Sequence, residues 1–480
     1  MNRLSKIVLI LLIATPVMFM LLNIRYFPVP QPIFFAQLDD GKRLLSLETK
    51  YILAPPLYSI LLELLDRYLP LSEGAHFGGV ILNIIVFVAT VYISWFFYYR
   101  FFGFASFLPI LLIVTNPLTY FVTLQPINMA LFTYICALTF LLWIKNNKQL
   151  AYGAATVSFF IRYEGILLLV ALAVTDLHKA TNKMKHLRNI TLCLIPMILW
   201  LGVLYFSYPE GNPNLVEIAS KREKIPNKYF AFRSIPESVL GVSQALSPFQ
   251  LLLLYSYFGI GTAVLLIKKK RQFIVPIMFM ILYLGLHVLY PSGEIRYAYP
   301  VVWILYLIGL WPLLLTQLFK LSTSIIVIGL LTFASIRIFI INLRHVQEGS
   351  IGEKYYRIDT RLTGEWLSSY QTTGQILVIA LEPHVIRYYT HNASISFLPG
   401  IPKNCESIEC VIDMIDVQNY KDILLVNNDF SSSCGNYFAE EMGGRAFCNF
   451  LRSPMEHNFI LLEHIAFKDS WANIYKLKVQ

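Results

Sequence analysis

The chain has 480 residues, of which 56% are hydrophobic and 14% are charged. Soluble domains typically carry about 25% charged residues, and the mean hydropathy here is +0.58. The composition therefore excludes a disordered chain and argues against an ordinary soluble enzyme. The net charge of +10 does not indicate a nucleic-acid ligand, because the basic residues cluster between apolar runs, where membrane topology alone would place them. We predict a polytopic α-helical membrane protein with no nucleic-acid partner.

Eleven apolar runs are candidates for membrane-spanning helices. The first follows Arg3 and Lys6, is long for a signal peptide and lacks a typical cleavage site, so we expect a retained first helix with a cytoplasmic N-terminus. The predicted spans are about 7–26, 77–98, 104–122, 128–145, 149–161, 164–177, 189–207, 248–267, 273–290, 299–319 and 323–342.

Positive charge between the runs predicts the orientation. Basic residues fall in the segments that alternation assigns to the cytoplasm, and the short opposite segments are poor in them, as the positive-inside rule requires. These cytoplasmic residues are Arg100, Lys145, Lys148, Lys179, Lys183, Lys185, Arg188, Lys268–Arg271 and Lys320. Three larger segments, 28–76, 208–247 and the tail from about 343, are then extracytoplasmic. The pattern predicts a multi-pass protein of the cell inner membrane.

Two neighbouring runs, 149–161 and 164–177, are each short for a full crossing. Arg162 and Glu164 lie at their junction. We interpret the pair as a hairpin whose tip stops near the outer face or in a water-filled cavity. The alternative is one long helix, which would invert the orientation of everything downstream.

The tail differs from the rest of the chain because it is more polar and alternates short apolar runs with helical stretches. Strands are predicted at Gln375–Ala380, Asp422–Val426, Ile460–Leu462 and Ala472–Leu477. We therefore predict a transmembrane domain over 1–342 and a small extracytoplasmic α/β domain over 343–480. Up to two disulfides, free thiols and a zinc site all remain open for its four cysteines, Cys405, Cys410, Cys434 and Cys448.

The external segment 28–76 is too long for a connecting turn. It contains two adjacent carboxylates, Asp39 and Asp40, followed by Gly41. One of them could act as a general base toward a hydroxyl, or the pair could share a divalent cation with a phosphate. The alternative is that Asp39 caps the N-terminus of a helix and Asp40 faces water.

The same segment continues into an amphipathic pattern that predicts a helix lying in the membrane interface. One face of this helix would carry leucines, namely Leu61, Leu62, Leu65 and Leu69. The other face would carry most of the charge, namely Glu63, Asp66 and Arg67.

Two arginines, Arg162 and Arg296, lie near the outer ends of predicted spans. Charged side chains at such depth usually face a cavity or a partner, and a planar guanidinium matches a phosphate with two parallel hydrogen bonds. Local ion pairing is the alternative, with Glu164 for Arg162 and Glu294 for Arg296. His287 is expected to be a packed or interfacial histidine.

The order of these features resembles the bacterial family 39-like members of the GT-C superfamily of glycosyltransferases, kin of protein O-mannosyltransferases and of the lipid A aminoarabinose transferase. The resemblance covers most of the chain. The stretches that carry it are Pro55–Leu61 (PPLYSIL), Phe160–Leu167 (FIRYEGIL), Arg296–Pro300 (RYAYP) and the tail segments TGEWL and NIYKL.

This resemblance implies an inverting transferase that moves a sugar from a polyprenyl-phosphate donor to a hydroxyl of a lipid, glycan or protein at the outer face of the membrane. By position, Asp39 or Asp40 would be the base, Arg296 would bind the donor phosphate, and Arg162 would line the same cavity. The implied pocket residues are Tyr58, Tyr297, Glu164 and His287. Some relatives require a divalent cation such as Mg²⁺ or Mn²⁺ and others do not.

Three positions depart from the family pattern. Ala54 replaces the usual histidine before the double proline, Asn128 is the nearest polar residue where a carboxylate is often found, and GKRLLS follows the acidic pair in place of a tyrosine-containing stretch. These changes are consistent with a different sugar or acceptor, or with an inactive homologue.

Two other functional classes remain open from the sequence. A transporter or flippase of lipid-linked glycans would need a pathway to the membrane midplane. An O-antigen-type polymerase or ligase would need a large external loop between late spans. A transferase instead needs Asp39, Asp40 and Arg296 to converge on one outer cavity.

Overall fold

The computed structural model describes residues 3–23, 32–47, 52, 54–69, 73–102, 106–179, 183–207, 248–289, 295–315, 358–371, 373–380, 383–398, 419–428, 459–467 and 470–478. Two compact units form, Met1–Phe27 with Ala36–Ile351 and Pro28–Phe35 with Gly352–Gln480. Several predictions lie outside the described residues: segment 208–247, the span 323–342, the domain boundary at 342, Glu294, and the four tail cysteines.

Every described element before residue 316 is helical. The helices are α1 Arg3–Asn23, α2 Pro32–Leu45, α3 Pro56–Tyr68, α4 Gly74–Phe102, α5 Phe107–Thr115, α6 Pro117–Leu124, α7 Met129–Ile144, α8 Lys148–Ile161, α9 Ile166–Lys179, α10 Lys183–Ser207, α11 Pro248–Leu289 and α12 Tyr299–Leu315. Two short 3-10 turns, Tyr163–Gly165 and Ile295–Ala298, precede α9 and α12.

Two of these helices are long and apolar enough to cross a membrane, over Gly74–Arg100 and Leu187–Phe206. A third crossing is formed if Leu118–Leu124 and Met129–Ile144, which are bent by 112° at their junction, count as one broken span. In a bilayer, a break of this kind is tolerated where the freed backbone groups are buried in protein or line a cavity.

The predicted break between the two short runs is confirmed. Helix α8 ends at Ile161, and the turn Tyr163–Gly165 leads directly into α9. A Cβ atom at Gly165 would overlap the backbone of Phe159 and Ser158, so the chain folds back tightly on the last turn of α8. A single long helix is therefore excluded.

Two predicted boundaries are wrong. The predicted span 104–122 is two helices, because Pro117 disfavours helical backbone at the residue before it, and Asn116 is accordingly extended and caps α6. Conversely, the predicted loop at Lys268–Arg271 is absent and α11 runs through it. Lysine and arginine are good helix formers, and no glycine or proline lies between Gly261 and Pro276 to end the helix.

The acidic pair lies in the interior of α2, so the N-cap alternative for Asp39 is wrong. Helices α2 and α3 meet at Gly41, where a Cβ atom would overlap the Ser59 carbonyl oxygen. The predicted polar face of α3 is also partly wrong, because Glu63 is buried and its carboxylate is held by Arg67 at 2.6 Å. Helix α3 packs against other helices on this side, rather than lying on the surface.

The second unit contains a five-stranded mixed sheet in the order β2-β1-β3-β5-β4. The strands are β1 Ile376–Ile379, β2 Ile395–Phe397, β3 Asp422–Asn428, β4 Phe459–Phe467 and β5 Ser470–Leu477, and the helices are α13 Ile358–Ser369 and α14 Pro383–Tyr389. Strands β1, β2 and β3 are parallel, whereas β5 pairs antiparallel with both β3 and β4. All four predicted strands are present, and β2 was not predicted.

Candidate active site

Three predicted site residues surround the ring of a fourth, Tyr297. The guanidinium carbon of Arg162 lies 5.3 Å from the centroid of this ring, and that of Arg296 lies 5.5 Å from it. The His287 ring is 5.0 Å away. These side chains come from the tip of the α8–α9 hairpin, the end of α11 and the turn before α12, so the fold brings together residues far apart in sequence.

Arg162 is held by two hydrogen bonds. Its Nη2 donates to Glu164 Oε1 at 2.5 Å, and its Nη1 donates to Asn128 Oδ1 at 3.0 Å. The Nε atom is buried and has no acceptor among the described residues. The ion pair with Glu164, which was the alternative prediction from the sequence, is therefore present, but it occupies only part of the guanidinium.

His287 is packed, as expected, and also reaches the ion pair. Its Nδ1 donates to the Tyr283 carbonyl oxygen at 3.0 Å, and the two rings stack at 4.4 Å. Because a carbonyl oxygen can only accept, Nδ1 carries a proton here. The Nε2 atom lies 3.9 Å from Glu164 Oε1.

The cluster of Arg162, Arg296, Glu164, His287 and Tyr297, hereafter the arginine cluster, contains two guanidinium groups and one carboxylate. Its positive charge exceeds its negative charge even when His287 is neutral. Arginine side chains stacked on an aromatic ring keep their N–H groups at the edge of the guanidinium plane for an anion. The arrangement can bind a phosphate.

Asp40 connects the acidic pair to the same hairpin. Its carboxylate is buried, accepts a hydrogen bond from the Ala54 amide at 2.6 Å, and interacts electrostatically with Tyr163. Tyr163 directly follows Arg162 in the chain, so this interaction relates Asp40 to the α8–α9 hairpin. Asp39 is half-buried.

Tyr58, predicted to line the pocket, is fully buried. Its hydroxyl donates to Asn83 Oδ1 at 3.4 Å, and Asn83 Nδ2 donates to the Gln125 carbonyl oxygen at 2.7 Å. Tyr58 thereby joins α3 to α4 and to the break between α6 and α7. This is the position of a core residue, and a direct role toward a substrate stays a prediction.

Two features of the site were not predicted. One is the contact of Asn128 with Arg162, for which the only sequence signal was a pair of amides flanking Pro126 within an apolar region. The other is the burial of Glu63 beside Gly41. As for metals, the described residues include no group of three His, Cys, Asp or Glu side chains that could hold an ion.

The apolar helices, the bent helix pair and the appended mixed sheet define a helical membrane protein with a small α/β unit. The fold is similar to that of "ArnT from Cupriavidus metallidurans bound to Undecaprenyl phosphate", with a TM-score of 0.62, 11% identity and 97% of each chain covered. The apo form of that protein gives a TM-score of 0.58 at 11% identity, over 97% of this chain and 99% of the other.

At this identity, the likeness shows the fold alone, and the predicted resemblance is confirmed at the level of the fold. No family model matches the chain. No curated protein matches it by sequence.

Proposed function

We propose that the protein is an inverting membrane glycosyltransferase that transfers a sugar from a polyprenyl-phosphate donor to an acceptor hydroxyl. The observation that supports this most directly is the placement of Arg162 and Arg296 on one tyrosine ring, together with the electrostatic interaction of Asp40 with Tyr163, the residue after Arg162. The fold adds support, because a protein that shares it is described as bound to undecaprenyl phosphate.

The charge of the arginine cluster suits the leaving group of this reaction. A sugar phosphodiester carries one negative charge, and the released phosphate monoester carries about 1.5 to 2 at neutral pH. Fixed positive groups therefore interact more strongly with the product-like transition state than with the donor. We assign Arg162, through its Nε and Nη groups, and Arg296 to the donor phosphate.

The chemical step needs one base. Asp40 takes the proton of the acceptor hydroxyl, while the hydroxyl oxygen attacks the anomeric carbon of the sugar from the face opposite the phosphate. The bond from that carbon to the phosphate oxygen breaks, its electron pair stays on the phosphate, and the configuration inverts. We assign no part of this step to a divalent cation.

The orientation follows from the charge distribution along the sequence. We propose a multi-pass chain in the inner membrane, with the N-terminus cytoplasmic, and with the arginine cluster and the C-terminal α/β unit extracytoplasmic. The electrostatic interaction of Asp40 with Tyr163, on the hairpin that carries Arg162, favours a transferase over a transporter, because a transporter would need these charges along a path to the midplane.

The test is turnover of defined donors by the purified protein in nanodiscs. A panel of undecaprenyl-phosphate sugars, including aminoarabinose and neutral hexoses, is incubated with the protein and an outer-membrane lipid, glycan or protein acceptor. Release of undecaprenyl phosphate that depends on one donor supports the proposal and identifies the sugar. Absence of both binding and turnover across the panel would overturn it.

A further inference from the structure

Asn128 occupies the N-cap position of α7, but its side chain does not cap that helix. An asparagine at this position normally accepts a hydrogen bond from its own helix. Here the oxygen and the nitrogen of the side-chain amide both form hydrogen bonds with the α8–α9 hairpin instead. Oδ1 accepts from Arg162 Nη1 at 3.0 Å, and Nδ2 donates to the Ile161 carbonyl oxygen at 2.9 Å.

The position of Asn128 is itself fixed by helix α4. Asn83 donates to the carbonyl oxygens of Gln125 and Ile127, at 2.7 and 3.4 Å. Gly79 packs so closely that a Cβ atom there would lie 2.7 Å from the Pro126 side chain. The break between α6 and α7 is therefore a rigid support, and the Asn128 amide projects from it onto the hairpin.

The amide also determines the charge around Arg162. Asn128 is buried and neutral, so among the described residues Arg162 faces one carboxylate, that of Glu164. A second carboxylate at position 128 would have nearly the same shape, but it would leave Arg162 with two negative partners. It would also oppose the Ile161 carbonyl oxygen without a proton to donate.

We infer that Asn128 is a positioning residue that aims Arg162 at the phosphate of an anionic lipid donor, and that its neutrality sets the affinity for that donor. The inference rests on the proposed function. Its chemistry is specific, because an amide can accept from Arg162 and donate to Ile161 at once, and neither alanine nor aspartate can do both.

The experiment measures the binding of undecaprenyl phosphate to the full-length protein in nanodiscs. Asn128→Asp places a negative charge against the Arg162 guanidinium, and it should weaken binding at least about tenfold. The double variant Asn128→Asp/Glu164→Gln restores a single carboxylate and should recover most of that loss. Asn116→Asp is the matched control, since Asn116 is a buried asparagine at the neighbouring helix break, and it should bind within about threefold of the parent.

Asn128→Ala removes both hydrogen bonds without adding charge, and it covers the case in which Asn128→Asp does not fold. We expect it to weaken binding a few-fold and to raise KM more than it lowers kcat, because misplacement of Arg162 acts first on the bound phosphate.

Three outcomes would overturn the inference. If Asn128→Asp or Asn128→Ala binds like the parent while Arg162→Ala binds more weakly, Asn128 has no role in positioning Arg162. The proposed function would then remain intact. Failure of Glu164→Gln to rescue would remove the charge argument. No binding by the parent protein would remove the proposed function and this inference together.

Discussion

The Asp40 carboxylate accepts a hydrogen bond from the Ala54 amide at 2.6 Å and so joins α2 to the double proline that begins α3. Its neighbour Asp39 points about 100° away around the helix and is half-buried. The two carboxylates therefore have different surroundings: Asp40 is buried, accepts the Ala54 hydrogen bond and interacts electrostatically with the hairpin residue Tyr163. This difference is why we assign the base to Asp40.

Replacing Asp40 by asparagine should lower kcat by about 10²–10⁴-fold, the usual loss for a catalytic base. The asparagine oxygen can still accept from Ala54, so the fold and the binding of undecaprenyl phosphate should be retained. Asp39→Asn is the matched control and should keep most of the activity in the same turnover assay. The opposite ranking of the two variants would move the base to Asp39.

The ring of Tyr297, rather than its hydroxyl, is expected to matter for donor binding. Both guanidinium groups lie about 5 Å from the ring centroid, and each contact of this kind contributes about 0.5–2 kcal/mol. Tyr297→Phe should bind undecaprenyl phosphate like the parent, whereas Tyr297→Ala should bind it several-fold to tens of fold more weakly. Equal losses in both variants would indicate that the hydroxyl itself contacts the donor.

Gly165→Ala should destabilise the hairpin. The added Cβ atom overlaps the backbone of Phe159 and Ser158, which no side-chain rotation can relieve, and overpacking typically costs about 1–3 kcal/mol. Because the shift moves Arg162, donor binding should fall as well. Melting temperature and undecaprenyl-phosphate affinity are the two measurements.

The control for this change lies on the preceding helix. Gly153 is exposed, and a Cβ atom there would meet nothing within 4 Å. Gly153→Ala should therefore leave binding unchanged and raise stability by up to about 1 kcal/mol through helix propensity. If Gly165→Ala were equally harmless, the turn Tyr163–Gly165 would not fix the position of Arg162.

In the C-terminal unit, Lys476 and Tyr370 both donate to the Asp422 carboxylate, at 2.5 and 3.1 Å. The hydrogen bond to Asp422 raises the pKa of Lys476 above its usual range, and burial, followed by the Asp422 charge, raises the pKa of Tyr370. The folded state thus holds both protons more tightly than the unfolded state. Their stabilising contribution is complete below about pH 10 and is lost as the pH rises through the raised pKa values.

This predicted loss of stability with rising pH can be measured by pulse proteolysis in urea, with the unfolded fraction read from peptides of β3 and β5. At about pH 8 the variant Lys476→Met should be less stable than the parent by up to about 1 kcal/mol, since the pair is partly exposed. At about pH 11 the difference should shrink toward zero. Lys421→Met, which removes a hydrogen bond to the neutral Thr373, should show no such trend, and a gap that widens with pH would contradict the account.

Features that depend on neighbouring residues could be predicted from the sequence. The hairpin tip follows from two charges between short apolar runs, and the strand at Asp422 follows from an unbroken aliphatic run. The contact between Asn128 and Arg162 joins two separate helix breaks, and no local pattern encodes it. The continuous α11 was missed because charge suggested a loop where the residues themselves favour helix.

Gly41 places α2 and α3 in backbone contact, because even a methyl group there would meet the Ser59 carbonyl oxygen and come within 3.0 Å of Glu63 Cβ. Position 41 therefore tolerates no side chain larger than that of glycine. In a saturation library selected for folded protein, position 41 should return glycine alone, although glycine is a poor helix former. The next position, the exposed Lys42, should accept most residues, so adjacent positions on one helix turn would differ sharply in mutational tolerance.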